Sequence, residues 1–408
     1  MAIGDSELIR AKVYPQGQST IIRAGLAVSR PATQKWGVAE LGKALTIDEL
    51  QSLQRILSTE GQIQNDYFRR IVDFIMLNHT KKVLFIGDLQ GHVGRLDIIL
   101  REYGPALESG ELMLVFLGDL IHPETGTYLD MAPSVMLFNT VMRLKLKFPL
   151  QIVLILGNHD VMYPTKIVSP SEIIRVISDV YAAAHRTQDN PFDVNILLEA
   201  IAQLPQGQEL IRDPGFEEMI FSKGKVLQSF AYLFALGRQI PVGQDYDQWV
   251  YRLQQVIDSM PVSGILWDGP HNKGVFFAHF AVIKEADVKA PDFAVRLYQA
   301  RQSGLSRQLR NNTFTPRAGS SALVCTDTDA IATAFGVFGG PDNRNVGLLF
   351  GHEKVVGNFY HLRIIGNTGP ALINLHGNTP DHFGALEWNG VQLNFIQLPL
   401  DSQTTLAS

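Results

Sequence analysis

Short runs of consecutive apolar residues, each ending abruptly at a glycine and a polar side chain, set the rhythm of this chain. Val83-Leu84-Phe85-Ile86 runs into Gly87-Asp88, Leu112–Leu117 into Gly118-Asp119, and Ile152–Leu156 into Gly157-Asn158-His159-Asp160. Unbroken apolar runs of this length suit strands buried on both faces. Between them, Leu96–Leu100 and Val135–Leu146 carry apolar residues at helical spacing. Strand, helix, strand, helix, strand predicts a parallel α/β sheet, whose ligands collect at the carboxyl ends of the strands, where the polar turns fall.

Upstream the pattern is helical. Residues 1–45 are mixed and predict an irregular lead-in. Thr46 with Glu49 three positions on forms a capping box ahead of Leu50, Leu53, Ile56 and Leu57. A second helix is expected over Asp66–Leu77, with Tyr67, Ile71, Phe74 and Ile75 on one face. From Lys166 to Pro261 helices are predicted again, at Pro170–Arg186, Val194–Leu204 and Tyr246–Met260. The strand rhythm returns at Val275–His279, at Val346–Phe350 before Gly351-His352, at Ala371–Leu375 before His376, and at Val391–Leu398.

Composition narrows the classes. Apolar residues make up 46% and charged residues 18%, enough for a sizeable core. Thirty-five basic against 40 acidic residues leave a net charge of −5, which argues against a general nucleic-acid or anionic-membrane binder. Cys325 is the only cysteine, so neither an intramolecular disulfide nor a cysteine zinc cluster can form. Its apolar run suits a buried strand thiol. The first residues lack the basic and apolar regions of a secretion signal, and no stretch of about 18 apolar residues appears. The chain reads as soluble.

The residues closing those strands carry the chemistry: Asp88, Asp119, Asn158, His159, His279 and His352. Carboxylate and amide oxygens beside imidazoles suit manganese, iron or zinc better than calcium. A pair of such ions about 3.5–4 Å apart needs a carboxylate that can reach both.

Gly87-Asp88-Leu89-Gln90-Gly91-His92, Gly118-Asp119, Gly157-Asn158-His159-Asp160, His279 and Gly351-His352, in this order, resemble the calcineurin-like metallophosphoesterase superfamily. The phosphoprotein phosphatase branch is the most similar part of it, through Gly351-His352-Glu353-Lys354-Val355-Val356-Gly357-Asn358-Phe359-Tyr360. The resemblance spans roughly residues 80–165 and 270–380. It implies an α/β fold, a metallophosphoesterase-type β-sandwich flanked by helices. The patterning of the chain itself, outside the reach of the resemblance, predicts a lead-in with two helices over 1–79 and a helical insertion, as a cap, inside a catalytic domain over 80–400. The insertion occupies 166–265 of that domain, and a tail follows at 401–408. Two divalent metal ions are implied, manganese first, with iron or zinc as alternatives. Asp119 would bridge them, Asp88 would bind the first, and Asn158, His279 and His352 would complete the second. His159 would be the general acid.

The sequence also departs from the family. Gln90 stands where the first motif has histidine, with His92 two residues on; Gln90 is the favoured ligand and His92 the alternative. His122 and Pro123 replace the aspartate and arginine that orient the acid and grip phosphate. His122 is accordingly a second catalytic candidate, against a plain exposed loop residue. Phe280-Ala281 replaces a pair of glycines after His279. His376, Arg317 and Arg363 are candidate substrate contacts, with Arg344 a further guanidinium, since phosphate favours bidentate arginine.

Three functions fit. The first is a phosphatase acting on phosphotyrosine or phosphoserine/threonine in proteins. The second is a nucleotide or dinucleoside-polyphosphate hydrolase, with Phe280, Phe359 and Tyr360 suited to base stacking. The third is a catalytically weak binding protein that retains the fold. The partner expected is a phosphorylated protein or small phosphoester, with neither nucleic acid nor membrane insertion, and the helical insertion is a candidate contact for a protein partner. The compartment expected is the cytoplasm, or the exterior without a cleaved signal peptide, as for a secreted bacterial effector.

Overall fold

The computed structural model describes residues 38–59, 72–76, 82–121, 131–157, 159–160, 167–187, 194–212, 231–233, 235–240, 245–261, 263–268, 273–279, 346–351, 360–364, 371–376, 383–388 and 393–398. Two sheets carry the site. In the first, β2 (Lys82–Ile86), β3 (Leu112–Phe116) and β4 (Ile152–Leu154) are parallel, as their apolar runs predict. β10 (Phe383–Trp388) and β11 (Leu393–Leu398) extend it antiparallel, giving the order β11-β10-β2-β3-β4. The second runs β1 (Val72–Met76), β5 (Ser263–Asp268), β6 (Lys273–Ala278), β7 (Val346–Phe350), β9 (Ala371–Leu375), β8 (Tyr360–Ile364). Within it β6, β7 and β9 are parallel to one another.

Alternation along each strand explains why the runs are unbroken. Val83, Phe85, Met113, Val115, Val153 and Ile155 turn inward against Leu266, Val275, Phe277, Leu349 and Ile373 of the second sheet. Phe85 and Phe277 meet edge to face at 5.5 Å. Their neighbours Leu84, Ile86, Leu114, Phe116, Ile152 and Leu154 turn outward into a core shared with helices. That second core includes residues of α3 (Val93–Glu108) and α4 (Ala132–Lys147). From Val83, Leu112 and Ile152 onward each position of these strands therefore has an apolar neighbour, and none needs a polar side chain.

The expected helix over Asp66–Leu77 is a correction, because Val72–Met76 is a strand paired in parallel with β5, Val72 opposite Ser263. Apolar spacing over so short a run fits either period, and ladder bonds to an open sheet edge decide it. β5, β8 and β10 also had no counterpart among the expected strands.

The lead-in joins the core through α1 (Val38–Leu41) and α2 (Ile47–Thr59). The Thr46 capping box forms: Thr46 N donates to Glu49 Oε2 at 2.7 Å, and Glu49 N to Thr46 Oγ1 at 3.2 Å. Arg143 of α4 holds the α1–α2 turn, donating to the carbonyls of Leu41 (2.6 Å), Lys43 (2.5 Å) and Ala44 (2.8 Å) and to both Glu49 oxygens. Burial alone would raise the Glu49 carboxyl, but hydrogen bonds from Arg143 and Thr46 hold it below its ordinary value. Arg143→Ala should lower unfolding free energy by about 2 kcal/mol, since several acceptors lose a charged donor together. The check is a urea midpoint shift at constant slope.

The helical stretch contains α5 (Pro170–Thr187), α6 (Val194–Ala202), α7 (Gly207–Ile211) and α8 (Tyr246–Ser259). Ser169 and Glu172 cap α5 reciprocally, and Asp247 of α8 accepts from Ser171 N and Oγ at 2.7 and 2.9 Å. Trp249 Nε1 donates to Leu45 O at 2.6 Å, and Trp249, Leu253 and Ile257 share one core with Leu50, Leu53 and Leu57. Leu156 N bonds Pro261 O at 2.8 Å, so the stretch returns beside the end of β4. Among the described residues no helix is long and apolar enough to cross a membrane.

Candidate metal centre

Parallel pairing puts the carboxyl ends of β2, β3 and β4 on one edge, and the loops leaving them are tied together. Leu117 N bonds Ile86 O, Ile155 N bonds Phe116 O, and Gln90 N bonds Asp119 O, at 2.9, 3.0 and 2.9 Å. Gln90 and Asp119 have φ of 44° and 52°, a left-handed backbone uncommon outside glycine and costing of order 1–3 kcal/mol per residue. A glycine neighbours each: Gly91 at φ 79° and Gly118 at 100°. A Cβ at Gly118 would also lie 2.6 Å from the Gly157 backbone, so the β3 and β4 loops touch only because both are glycine.

Asp88, Asp119 and His279 converge, each offering one ligand atom within 4.8 Å of the others, and all are buried. His279 follows β6 of the opposite sheet, so the centre sits where the strand ends of the two sheets meet. Its Nδ1 lies 2.9 Å from Leu117 O. A carbonyl can only accept, so Nδ1 carries the proton in that bond, and Nε2 faces Asp119 Oδ2 at 3.3 Å. This is how ligating histidines are usually held, with the outer nitrogen on a carbonyl and the inner one toward the ion. His376, one residue past β9, places Nε2 3.6 Å from Asp88 Oδ2 and is 1% exposed.

Electrostatics explain what the cluster requires. Burial pushes Asp88 well above the ordinary carboxylate range; His279 opposes this, while Asp119 and Asp160 add to it. For Asp119 burial acts in the same direction, but His279 and His159 outweigh it and hold the acid low. Burial would depress the His279 imidazole, yet Asp119 and Asp88 raise it to about 9. Without a cation, a proton on His279 supplies the positive charge between the two acids. Asp88 Oδ1, though buried, has no hydrogen-bond partner among the described residues. A carboxylate pair, an imidazole lone pair and an orphaned buried oxygen are the donor set of a divalent-cation site, so the residues fit a metal.

His159 and Asp160 close the other side. His159 N donates to Asp119 Oδ1 at 2.8 Å, so one oxygen of Asp119 faces His279 and the other the His159 loop. Asp160 is fully buried. Its Oδ1 accepts from Leu120 N (2.8 Å) and Ile121 N (3.0 Å), and its Oδ2 from Gly157 N (2.9 Å). Burial first, then Asp119, raises its carboxyl to about 6. No sequence signal singled Asp160 out as the side chain joining two loops, because its partners are all backbone amides.

Of the expected site residues, Asp88, Asp119 and His279 form the cluster, Gln90 and His376 each lie beside Asp88, and His159 reaches Asp119 through its backbone N–H. His92, the alternative to Gln90, precedes α3 and is partly exposed. Asn158, His352, His122, Arg317 and Arg344 lie outside the described residues, as do Phe280, Phe359 and the Cys325 run. Arg363 is on β8 opposite Leu372. Tyr360 stacks on Phe395, centroids 3.7 Å apart, so one face of its ring is taken up by packing.

Residues 81–280 match the family model of calcineurin-like phosphoesterases, and this part of the chain is a domain of that class of hydrolases. No curated protein matches the chain. Among solved structures it is similar to a protein serine/threonine phosphatase from Saccharomyces cerevisiae with similarity to human phosphatase PP5. That match has 13% identity, covers 89% of this chain and 93% of that one, and has a TM-score of 0.45. It is also similar to a cold-active protein-tyrosine phosphatase of a psychrophile, Shewanella SP. The identity there is 12%, the coverage 82% and 86%, and the TM-score 0.34. Likenesses this loose leave the choice of substrate to the site.

Proposed function

We propose that the protein is a metal-dependent phosphatase hydrolysing phosphomonoesters, on phosphotyrosine or phosphoserine/threonine of proteins. The observation that carries this reading is the buried convergence of Asp88, Asp119 and His279. In this reading two divalent ions would be held by Asp88, Asp119, His279, Asn158 and His352, with Asp119 shared, Asp88 serving the first and His279, Asn158 and His352 the second. Gln90 stands beside Asp88 in the first site. Bound there, two such ions, manganese first and iron or zinc as alternatives, supply an activated water and neutralise phosphoryl charge.

The chain's own residues do the rest. Leu117 O orients His279 by holding its Nδ1 proton, and Asp160 fixes the loops that present Asp119 and His159. His159 delivers a proton to the leaving oxygen, the general-acid role that imidazole most often takes. His122, Arg317 and Arg363 remain the candidates to grip phosphate.

The test is hydrolysis by chelator-stripped protein of phosphotyrosine and phosphoserine peptides and of a dinucleoside polyphosphate, with manganese added back. Manganese-dependent turnover of a phosphopeptide is expected. Preference for the dinucleoside polyphosphate would replace the protein substrate with a nucleotide, and no turnover by metal-loaded protein would leave a binding protein.

A further inference from the structure

Three parallel strands of the second sheet end side by side at the centre, and each is followed by a residue with metal-ligating chemistry or a close approach to it. Phe350 of β7 is level with Ala278 of β6 on one side and with Asn374 of β9 on the other. His279 follows β6 directly, Gly351 follows β7 and His376 follows β9. Gly351 bonds its N–H to His279 O at 3.2 Å. A Cβ there would stand 2.8 Å from Asp88 Oδ1 and 2.9 Å from His279 Nδ1. The glycine therefore lets Asp88 of the first sheet reach in between the two histidines of the second.

Asp88 divides its oxygens between them. Oδ1 lies 3.6 Å from His279 Nδ1, and Oδ2 lies 3.6 Å from His376 Nε2. Two donors held about 2.1 Å from one ion in tetrahedral arrangement lie about 3.4 Å apart. The spacing of Asp88 Oδ2 and His376 Nε2 is within a few tenths of an ångström of that figure. Asp88 is 0% and His376 1% exposed, so a ligand reaching both must be small and desolvated. A phosphate oxygen at this depth would lie against the Asp88 carboxylate and be repelled; a cation would be attracted by the acid and would meet an imidazole nitrogen.

Gln90 leaves room for this role. Its amide Nε2 is 3.3 Å from Asp88 Oδ2, the arrangement in which a side-chain amide donates to an acid. The carbonyl oxygen, the only ligating atom glutamine has, belongs to the other arm of that amide. Gln90 thus acts on the acid as a hydrogen-bond donor rather than as a ligand.

We infer that His376 is a ligand of the first metal site, through Nε2 beside Asp88 Oδ2, supplying from the end of β9 the imidazole that the β2 loop lacks at Gln90. This rests on the metal-dependent reading above. It changes the place of His376 from a substrate contact to part of the metal's own shell.

The experiment uses the full chain, stripped with chelator and titrated with cobalt(II), whose visible absorption reports its ligands, and with manganese. Bound metal is counted after dialysis. Wild type is expected to take up two ions. His376→Ala and His376→Phe, the second keeping a ring in the space, should each retain one ion tightly. They should bind the other roughly 10²-fold more weakly or worse, beyond the 10–100-fold cost of losing an outer-shell partner. Their cobalt spectra should change in intensity. Adding Gln90→His to either variant should restore two-ion binding, because it returns an imidazole to the same site. Two-ion binding with unchanged affinity and spectrum in a folded His376 variant, together with a raised KM, would overturn the inference and make the residue a substrate contact. So would failure of Gln90→His to restore the ion, including in a pair of variants that fold only as the double substitution. A wild-type protein binding no metal would instead sink the metal-centre reading itself, which this titration separates from the fate of His376.

Discussion

Asp119→Asn is expected to empty the centre while leaving the fold standing. Asparagine is one of the few residues at ease in the left-handed backbone that position 119 adopts at φ 52°. Its side-chain oxygen can keep the bond from His159 N, now accepted by Asp119 Oδ1 at 2.8 Å. What changes is the other arm. Oδ2, which faces His279 Nε2 at 3.3 Å, becomes an NH2 group that cannot ligate, and one negative charge leaves a buried site. Both ions should be lost from dialysed protein, and turnover should fall roughly 10³-fold or more, the rate equivalent of several kcal/mol of lost charge stabilisation. The unfolding midpoint of metal-free protein should stay close to wild type. A variant that retained two ions and normal turnover would move the bridge to another residue.

His159→Ala tests a different link. Its contact with Asp119 is made by the backbone N–H, which alanine keeps, so metal content should be unchanged. Loss of a positioned proton donor should slow hydrolysis by about 10²–10⁴-fold. The loss should shrink for an ester whose leaving group needs no proton, such as a nitrophenyl phosphate, and be largest for an alkyl ester. An equal loss across leaving groups, or a parallel loss of metal, would assign His159 to structure or ligation.

The strands that carry the site were legible because each is buried on both faces. Val83–Ile86 and Leu112–Phe116 have no wet side, so their sequence reads as one apolar run and its end is sharp. Their turn residues were legible by repetition, since one apolar run after another closes on a glycine and a polar side chain. Thr46 and Glu49 announced their helix because capping is local. β1 was not legible: its pairing with β5 is a contact across nearly half the chain, and nothing within Val72–Met76 records it. β10 carries Gly384 in its interior, and the ladders on both its sides, to β11 and β2, hold it in place. Asp160 was hidden because its contacts are three backbone amides, which every sequence has. His376 was visible as a strand-end histidine, but its direction toward Asp88 is set by the packing of one sheet on the other.

The division of the centre between two sheets also fixes when it can exist. Asp88 and Asp119 belong to the early part of the chain, while His279 and His376 come only after the helical stretch and the second sheet have been made. A polypeptide emerging from the ribosome carries the acids long before the imidazoles. On the metal-dependent reading proposed above, ion capture would be deferred to the closing of the sandwich, and a chain lacking the second sheet would have no complete centre.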